Sequence, residues 1–273
     1  MREDTLRDPE GLLVIPEKHC GTGVLTIGGS SGRIDDDRAR VLAAQGALAM
    51  SIRWFGGPGQ HTGPRLIPLE TFTRALDRIA PECDRLVIAG MSFGAEAALL
   101  TASYDERVDG CIGFAPSPVV WSFIDPDGTQ VSHWSYDGKP VSAVPFDTSW
   151  QPDTDPPAYV GMYQQSLRLA DPETVASATI PVERIGELLL VAGGDDQVWP
   201  SIDFAQRIVA RRRDHGLDTV LSALPEAGHR TRLPGESPVT AGQSMRRGGT
   251  DETNRDLGRL AWPHVRHILR LPD

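Results

Sequence analysis

Cysteine is scarce in this sequence, with three residues in 273: Cys20, Cys83 and Cys111. An odd count at irregular spacing argues against a disulfide framework and against a metal site, and points to structural thiols in a reduced compartment. Long apolar runs are missing as well. No stretch is long enough to span a bilayer, and the charged start Met1-Arg2-Glu3-Asp4 leads into no signal-peptide core, so the expected setting is cytoplasmic. Positive charge is in short supply: 27 Lys and Arg stand against 37 Asp and Glu, a net charge of -10. That balance counts against nucleic acid or an anionic membrane surface as the partner. Internal repeats and low-complexity tracts are absent.

A hydrophobic content of 40% over 273 residues supplies a sizeable core, expected to form a single α/β domain over residues 1–273. Short apolar runs at 12–16, 23–27, 47–53, 85–89, 110–114, 187–192 and 219–224 read as strands. Helical patterns lie between them at 35–44, 69–79, 93–103 and 201–213. This alternation implies crossover connections and a mainly parallel central sheet with helices on both faces. In the 201–213 helix Ala205, Ile208 and Val209 share one face, Arg211, Arg212 and Arg213 are expected to run into solvent, and Gly216 ends it. A last helix over 251–271 contains Pro263, which should kink or divide it.

Residues 117–178 break the rhythm. They are rich in proline and hold Trp121, Trp134 and Trp150, too long a stretch for a plain connection, so they read as an inserted lid. Its aromatic residues either line an acyl pocket or pack the lid against itself.

The chemistry centres on Gly90-Met91-Ser92-Phe93-Gly94, set between the apolar run 86–89 and a small-residue helix. With 28 glycines in the chain the bare Gly-x-Ser-x-Gly pattern is weak; the strand before it and the helix after it give it meaning. A turn that tight exposes the serine hydroxyl at the strand's carboxyl end and aims the next N–H at a developing oxyanion. An activated serine also needs a base and an acid to orient that base. The strand at 187–192 runs into Gly193-Gly194-Asp195-Asp196, and the next one into Pro225-Glu226-Ala227-Gly228-His229. Ser92, an aspartate at 195 or 196 and His229 thus follow in the order Ser, acid, His, each at a strand end. His19, His61, His133, His215, His264 and His267 read as surface, lid or helix residues, with His61 near enough to a strand end to border the site.

The Phe93 N–H would form half of an oxyanion hole. The loop Gly28-Gly29-Ser30-Ser31-Gly32 would supply the other half, from the Ser30 amide or the neighbouring Ser31. That loop lacks the Lys-Ser/Thr of a P-loop and the spacing of a dinucleotide fingerprint, so no cofactor and no metal are expected. Glu96, on the helix after Ser92, reads as a local ion pair or cap.

The same residues resemble the C-terminal α/β-hydrolase domain of the acyl-CoA thioesterase and bile acid-CoA:amino acid N-acyltransferase family, from Gly23 onward. Gly28-Gly29-Ser30-Ser31-Gly32 is similar to the family's oxyanion segment with glycine in place of its histidine. Gly90-Met91-Ser92-Phe93-Gly94-Ala95-Glu96 is similar to its elbow, and 132–140 (SHWSYDGKP) to its lid motif. Further likenesses are 179–183, 193–201, Ala227-Gly228-His229 and Gly248-Gly249-Thr250, and they imply Asp196 as the orienting acid.

The resemblance implies an α/β-hydrolase fold and a serine hydrolase acting on a small-molecule acyl thioester, the acyl chain riding on coenzyme A or on a carrier protein. Eukaryotic members carry an N-terminal β-sandwich domain for which this sequence has no room, so its contribution to recognition is not expected. Amidating members use cysteine as nucleophile. Ser92 would form an oxygen ester that passes its acyl group readily to water, which favours hydrolysis. Transfer to an amine or alcohol, cyclisation, and carboxylesterase action are the alternatives on the same machinery. A non-catalytic binder on the same scaffold is the alternative from another class. A net charge of -10 repels an anionic thiol carrier, so such a substrate requires a local basic patch, which the linear sequence does not locate.

Overall fold

Strands that are buried on both sides belong in the middle of a covered sheet. The runs at 22–27 and 85–90 are buried at every position, and the structure, a computed structural model describing residues 1–239 and 242–272, puts them there. In chain order the elements begin with β1 (Arg2–Arg7), β2 (Glu10–Ile15), β3 (Thr22–Ile27), α1 (Asp36–Ala44) and β4 (Leu48–Ile52). Next come β5 (Ile67–Pro68), α2 (Glu70–Ile79), β6 (Arg85–Met91), α3 (Phe93–Tyr104) and β7 (Gly110–Phe114). The 117–178 region contributes β8 (Ser122–Ile124), β9 (Gln130–Ser132), β10 (Trp134–Tyr136), β11 (Lys139–Pro140), α4 (Val160–Leu169) and α5 (Pro172–Ala178). The chain then returns to β12 (Glu187–Gly193), α6 (Ser201–Asp214), β13 (Val220–Leu224) and α7 (Asp251–Ile268).

Eight strands form one sheet in the order β1-β2-β4-β3-β6-β7-β12-β13. β1 pairs antiparallel with β2 and β2 with β4; from β4 to β13 every pairing is parallel. Alternation along each strand divides the core in two. Leu25, Ile27, Ile88 and Leu190 pack with α2, α3, α6 and the lid, whereas Val24, Val87, Ile112 and Val191 pack with α1 and α7. Helices therefore cover both faces, as the alternation of the sequence implied. The register aligns Ile27 with Gly90 and Gly90 with Gly113. The loops leaving these strands thus emerge at one level along the carboxyl edge, the usual place for a ligand in a parallel sheet. No helix among the described residues is long and apolar enough to cross a membrane.

The structure departs from the sequence expectations at several points. β1 had no apolar run to announce it: it is a charged edge strand with exposed residues alternating along it, paired on one side only. Arg212 does not run into solvent. It is 1% exposed, and its guanidinium donates to the carbonyls of Val182, Ile185, Gly186 and Asp218 and to the Thr219 hydroxyl, tying the end of α6 to the entries of β12 and β13. Arg211 pairs with Glu183 at 2.6 Å, so of the three arginines Arg213 alone is fully exposed as expected. Pro263 does not divide the last helix. α7 continues through it to Ile268 because Leu257, Ala261 and Val265 anchor one face in the core. Pro263 itself is exposed, where solvent can satisfy the carbonyl that loses its helical partner.

The lid is tied to the body of the domain through a separate three-stranded sheet, in the order β11-β10-β5. β10 adds parallel to β5, pairing Trp134 with Ile67 and Ser135 with Pro68. Trp121 and Trp134 are fully buried: Trp121 stacks on Phe146 at 5.4 Å, and Trp134 lies 5.1 Å from Trp54. Such pairs each add about 0.5–1.5 kcal/mol beyond area burial. Between them lies Glu96, whose reading as a local ion pair or cap is also corrected. Its Oε1 accepts from the Trp134 indole at 2.7 Å and from the Trp121 backbone N–H at 3.2 Å, while Oε2 has no hydrogen-bond partner among the described residues. Burial without a cation pushes its carboxyl well above the usual range, the two hydrogen bonds opposing only in part. The folded protein therefore holds a proton there that the unfolded chain releases, and stability should fall as pH rises above the ordinary glutamate range, by up to ~1.4 kcal/mol per pH unit. Glu96→Gln removes that slope. Melting curves from pH 5 to pH 8 should show its advantage over wild type widening with pH; parallel curves would mean that Glu96 is ionised.

Candidate active site

Ser92 sits between β6 and α3 at φ 59°, ψ -125°, a region that a non-glycine residue occupies only when its surroundings impose it. Crowding shows what imposes it. A Cβ on Gly90 would lie 1.9 Å from the Gly94 carbonyl oxygen, and one on Gly94 would lie 2.4 Å from the carbonyl oxygens of Ile27 and Gly28. Only glycine fits at either place, so the pattern has the structural context that gives it meaning. Phe93 is the first residue of α3, and its N–H has no helical acceptor. The 28–32 loop packs against the same turn: a Cβ on Gly29 would be 3.3 Å from Ser92 Cβ, and Ser30 and Ser31 line the cavity in front of it.

The two aspartates after β12 have separate work. Asp196 is buried, and its Oδ2 accepts from His229 Nδ1 at 2.7 Å and from the Ser201 hydroxyl. Its Oδ1 accepts from the N–H groups of Val198 and Trp199 at 2.8 and 3.2 Å. Four donors hold the carboxylate in one orientation. Asp195 is exposed and accepts from the Gln197 amide and the Gly249 N–H, bracing the turn against the loop before α7. His229 is further held by a bond from its backbone N–H to the Arg247 carbonyl at 2.8 Å and by the edge of Trp199 against its ring, 5.7 Å away.

Ser92 and His229 line one cavity of about 520 Å³. No hydrogen bond joins them among the described residues; in an unliganded site that bond is often long and tightens around the substrate. The lid supplies the apolar wall, but through Phe123, Ile124, Phe146, Met162 and Tyr163. Trp121 and Trp134 are core residues, so the packing alternative holds for both. His61 is exposed and does not border the cavity; Thr62, Gly63 and Pro64 beside it do.

Sequence reasoning missed His133. It lies in the lid, as expected, yet it is buried and stacks on the Phe93 ring at 4.1 Å. Its Nδ1 donates to the Trp121 carbonyl at 2.8 Å, and burial lowers its pKa to about 4, so the ring is neutral near pH 7. The lid motif around Trp134 was its only signal, because burial of a histidine depends on the lid's docking.

Residues 67–246 match the family described as BAAT / Acyl-CoA thioester hydrolase C terminal. The chain belongs to that family. Mouse mitochondrial acyl-coenzyme A thioesterase 2 is 25% identical over 240 residues, 86% of this chain and 50% of its own length, and mouse acyl-coenzyme A thioesterase 1 is 24% identical over 86% of this chain and 54% of its own. The chain thus spans about half the length of the curated relatives it matches. Among solved structures, TT1662 from Thermus thermophilus superposes with a TM-score of 0.53 over 100% of both chains at 18% identity. Together with the sheet order and the serine elbow, these likenesses establish an α/β-hydrolase fold.

Proposed function

We propose that this chain is a serine hydrolase of acyl-CoA or carrier-bound acyl thioesters. The observation that carries the reading is the buried Asp196–His229 hydrogen bond at the wall of the cavity that also holds Ser92 on its strained turn. In this mechanism Ser92 Oγ attacks the thioester carbonyl carbon while His229 Nε2 takes the hydroxyl proton. Asp196 accepts from Nδ1–H, which keeps the lone pair on Nε2 and stabilises the imidazolium that forms. The N–H groups of Phe93 and Ser30 receive the oxyanion, where a single such donor is worth ~10²–10³ in rate. Collapse breaks the C–S bond, and His229 returns the proton to the departing thiolate. Water, deprotonated by His229, then attacks the ester carbonyl on Ser92; the bond from the acyl carbon to Oγ breaks, His229 returns the proton to Oγ, and the carboxylic acid leaves.

Likeness to proteins named acyl-coenzyme A thioesterases supports a thioester over a simple ester, and an oxygen-ester intermediate supports water as the acceptor. The test is hydrolysis of straight-chain acyl-CoAs of graded length beside p-nitrophenyl esters, with candidate amine and alcohol acceptors added in a second arm. Free acid and free thiol in equal amounts are expected, with kcat/KM higher for the acyl-CoAs. Hydrolysis of the esters alone would refute the thioester reading, and amide or ester products would refute the hydrolase one.

A further inference from the structure

A chain with 37 acidic and 27 basic residues has carboxylates to spare. Its structural arginines use them: Arg38 pairs with Glu236, Arg53 with Glu10, Arg85 with Glu187 and Arg211 with Glu183. Arg33 and Arg247 do not. Among the described residues neither has a carboxylate within ion-pair distance. Asp35, two residues after Arg33, lies 3.7 Å from Arg38 instead. The Arg247 guanidinium donates to the carbonyls of Met245 and Gln243 at 3.1 and 2.5 Å. Arg230, next to His229, donates to the Val239 carbonyl at 2.6 Å.

These three half-buried arginines come from three separate segments, the loop after β3, the loop after β13 and the approach to α7, yet all line the cavity that holds Ser92. They also sense one another. Burial, then the charges of Arg247 and Arg33, brings the Arg230 guanidinium down to about 10, and burial followed by Arg33 lowers that of Arg247. Like charges gathered at one cavity raise its energy unless a ligand brings the opposite charge. The lid side of the same cavity is apolar, through Phe123, Phe146 and Met162. The cavity is therefore suited to a molecule with a greasy end and an anionic end.

The geometry points to an anion subsite formed by Arg33, Arg230 and Arg247 that takes phosphate groups on the thiol side of the acyl thioester, with the acyl chain against the lid. Guanidinium forks match phosphate oxygens in two-point contacts. The local cluster would offset the repulsion that a net charge of -10 imposes on such a substrate. The subsite rests on the thioesterase reading. The phosphates could belong to the nucleotide of coenzyme A or to the phosphodiester of a carrier-bound pantetheine.

Arg33→Gln and Arg33→Lys test it, because among the described residues Arg33 makes no ion pair whose loss would unfold the loop. One acyl group would be presented as its coenzyme A thioester, its 4′-phosphopantetheine thioester and its uncharged N-acetylcysteamine thioester. For Arg33→Gln, KM should rise at least tenfold on the phosphorylated substrates, stay within twofold on N-acetylcysteamine, and recover partly in Arg33→Lys. A rise on both phosphorylated substrates assigns the subsite to the pantetheine phosphate; a rise on the coenzyme A thioester alone assigns it to the nucleotide. Equal changes on all three substrates, or none, overturn the subsite and leave the thioesterase reading intact. Calorimetric titration with coenzyme A itself separates the two failures. Tenfold weaker binding to Arg33→Gln than to wild type upholds the subsite even if no thioester is hydrolysed, and equal or absent binding to both overturns it.

Discussion

Ser92→Ala is expected to lower kcat/KM on an acyl-CoA by at least about 10³-fold while the melting temperature stays close to that of wild type. The rate loss follows from chemistry. In the proposed mechanism no acyl-enzyme forms without Oγ, and His229 and the oxyanion donors would retain only a weak direct attack by water, a residue that loss of a triad serine typically leaves. The unchanged stability follows from backbone geometry. Alanine inherits the positive φ of 59° that serine bears, so the strain in the turn is neither relieved nor increased. Ser92→Gly separates the two effects, because glycine occupies that region without penalty. It should be equally inactive yet more stable by about 1 kcal/mol, the low end of what such a conformation costs. Steady-state kinetics and thermal melts on the three proteins check both halves. An alanine variant within tenfold of wild type would remove Ser92 from the mechanism.

Asp196→Asn is expected to cost kcat about 10⁴-fold, the scale seen when a triad histidine loses its acid partner and adopts the wrong tautomer. The environment makes this substitution severe. Oδ1 accepts from two backbone N–H groups and Oδ2 from His229 and Ser201. An amide nitrogen must therefore face donors on one side or the other. If it faces His229, the imidazole turns its proton to Nε2 and can no longer take one from Ser92. Asp195→Asn is the contrast. Its contacts brace the turn without touching His229, so the loss should stay under tenfold. Circular dichroism on both variants distinguishes a lost tautomer from a lost fold. Equal losses at 195 and 196 would refute the assignment of Asp196.

Much of this was legible in the chain because it is written locally. Apolar runs with buried residues on both faces can only be central strands, and the glycines flanking Ser92 describe a turn whose crowding the structure makes plain. The order Ser92, then Asp195 or Asp196, then His229 followed from strand ends, and the family resemblance favoured Asp196. Less legible were features that depend on what lies across from a residue. β1 has no apolar pattern because one of its edges is unpaired and its surface is wet. Arg212 looks like part of a solvated basic run until five oxygens from the β12 and β13 entries close around it. Glu96 looks like a local ion pair or cap until two lid tryptophans dock on it. His133 is buried by the same docking.

By itself the sequence determined the α/β alternation, the elbow, and the placing of a serine, an acidic pair and a histidine at successive strand ends, since each depends on residues within a few positions of one another. Only the tertiary structure decided which of two adjacent aspartates faces His229, which lid aromatics line the cavity and which fill the core, and that Arg33, Arg230 and Arg247 meet at its wall. Those outcomes depend on the register of the sheet and the docking of the lid, which bring together residues up to some 200 positions apart in the chain. Contacts across such distances leave no mark in local spacing.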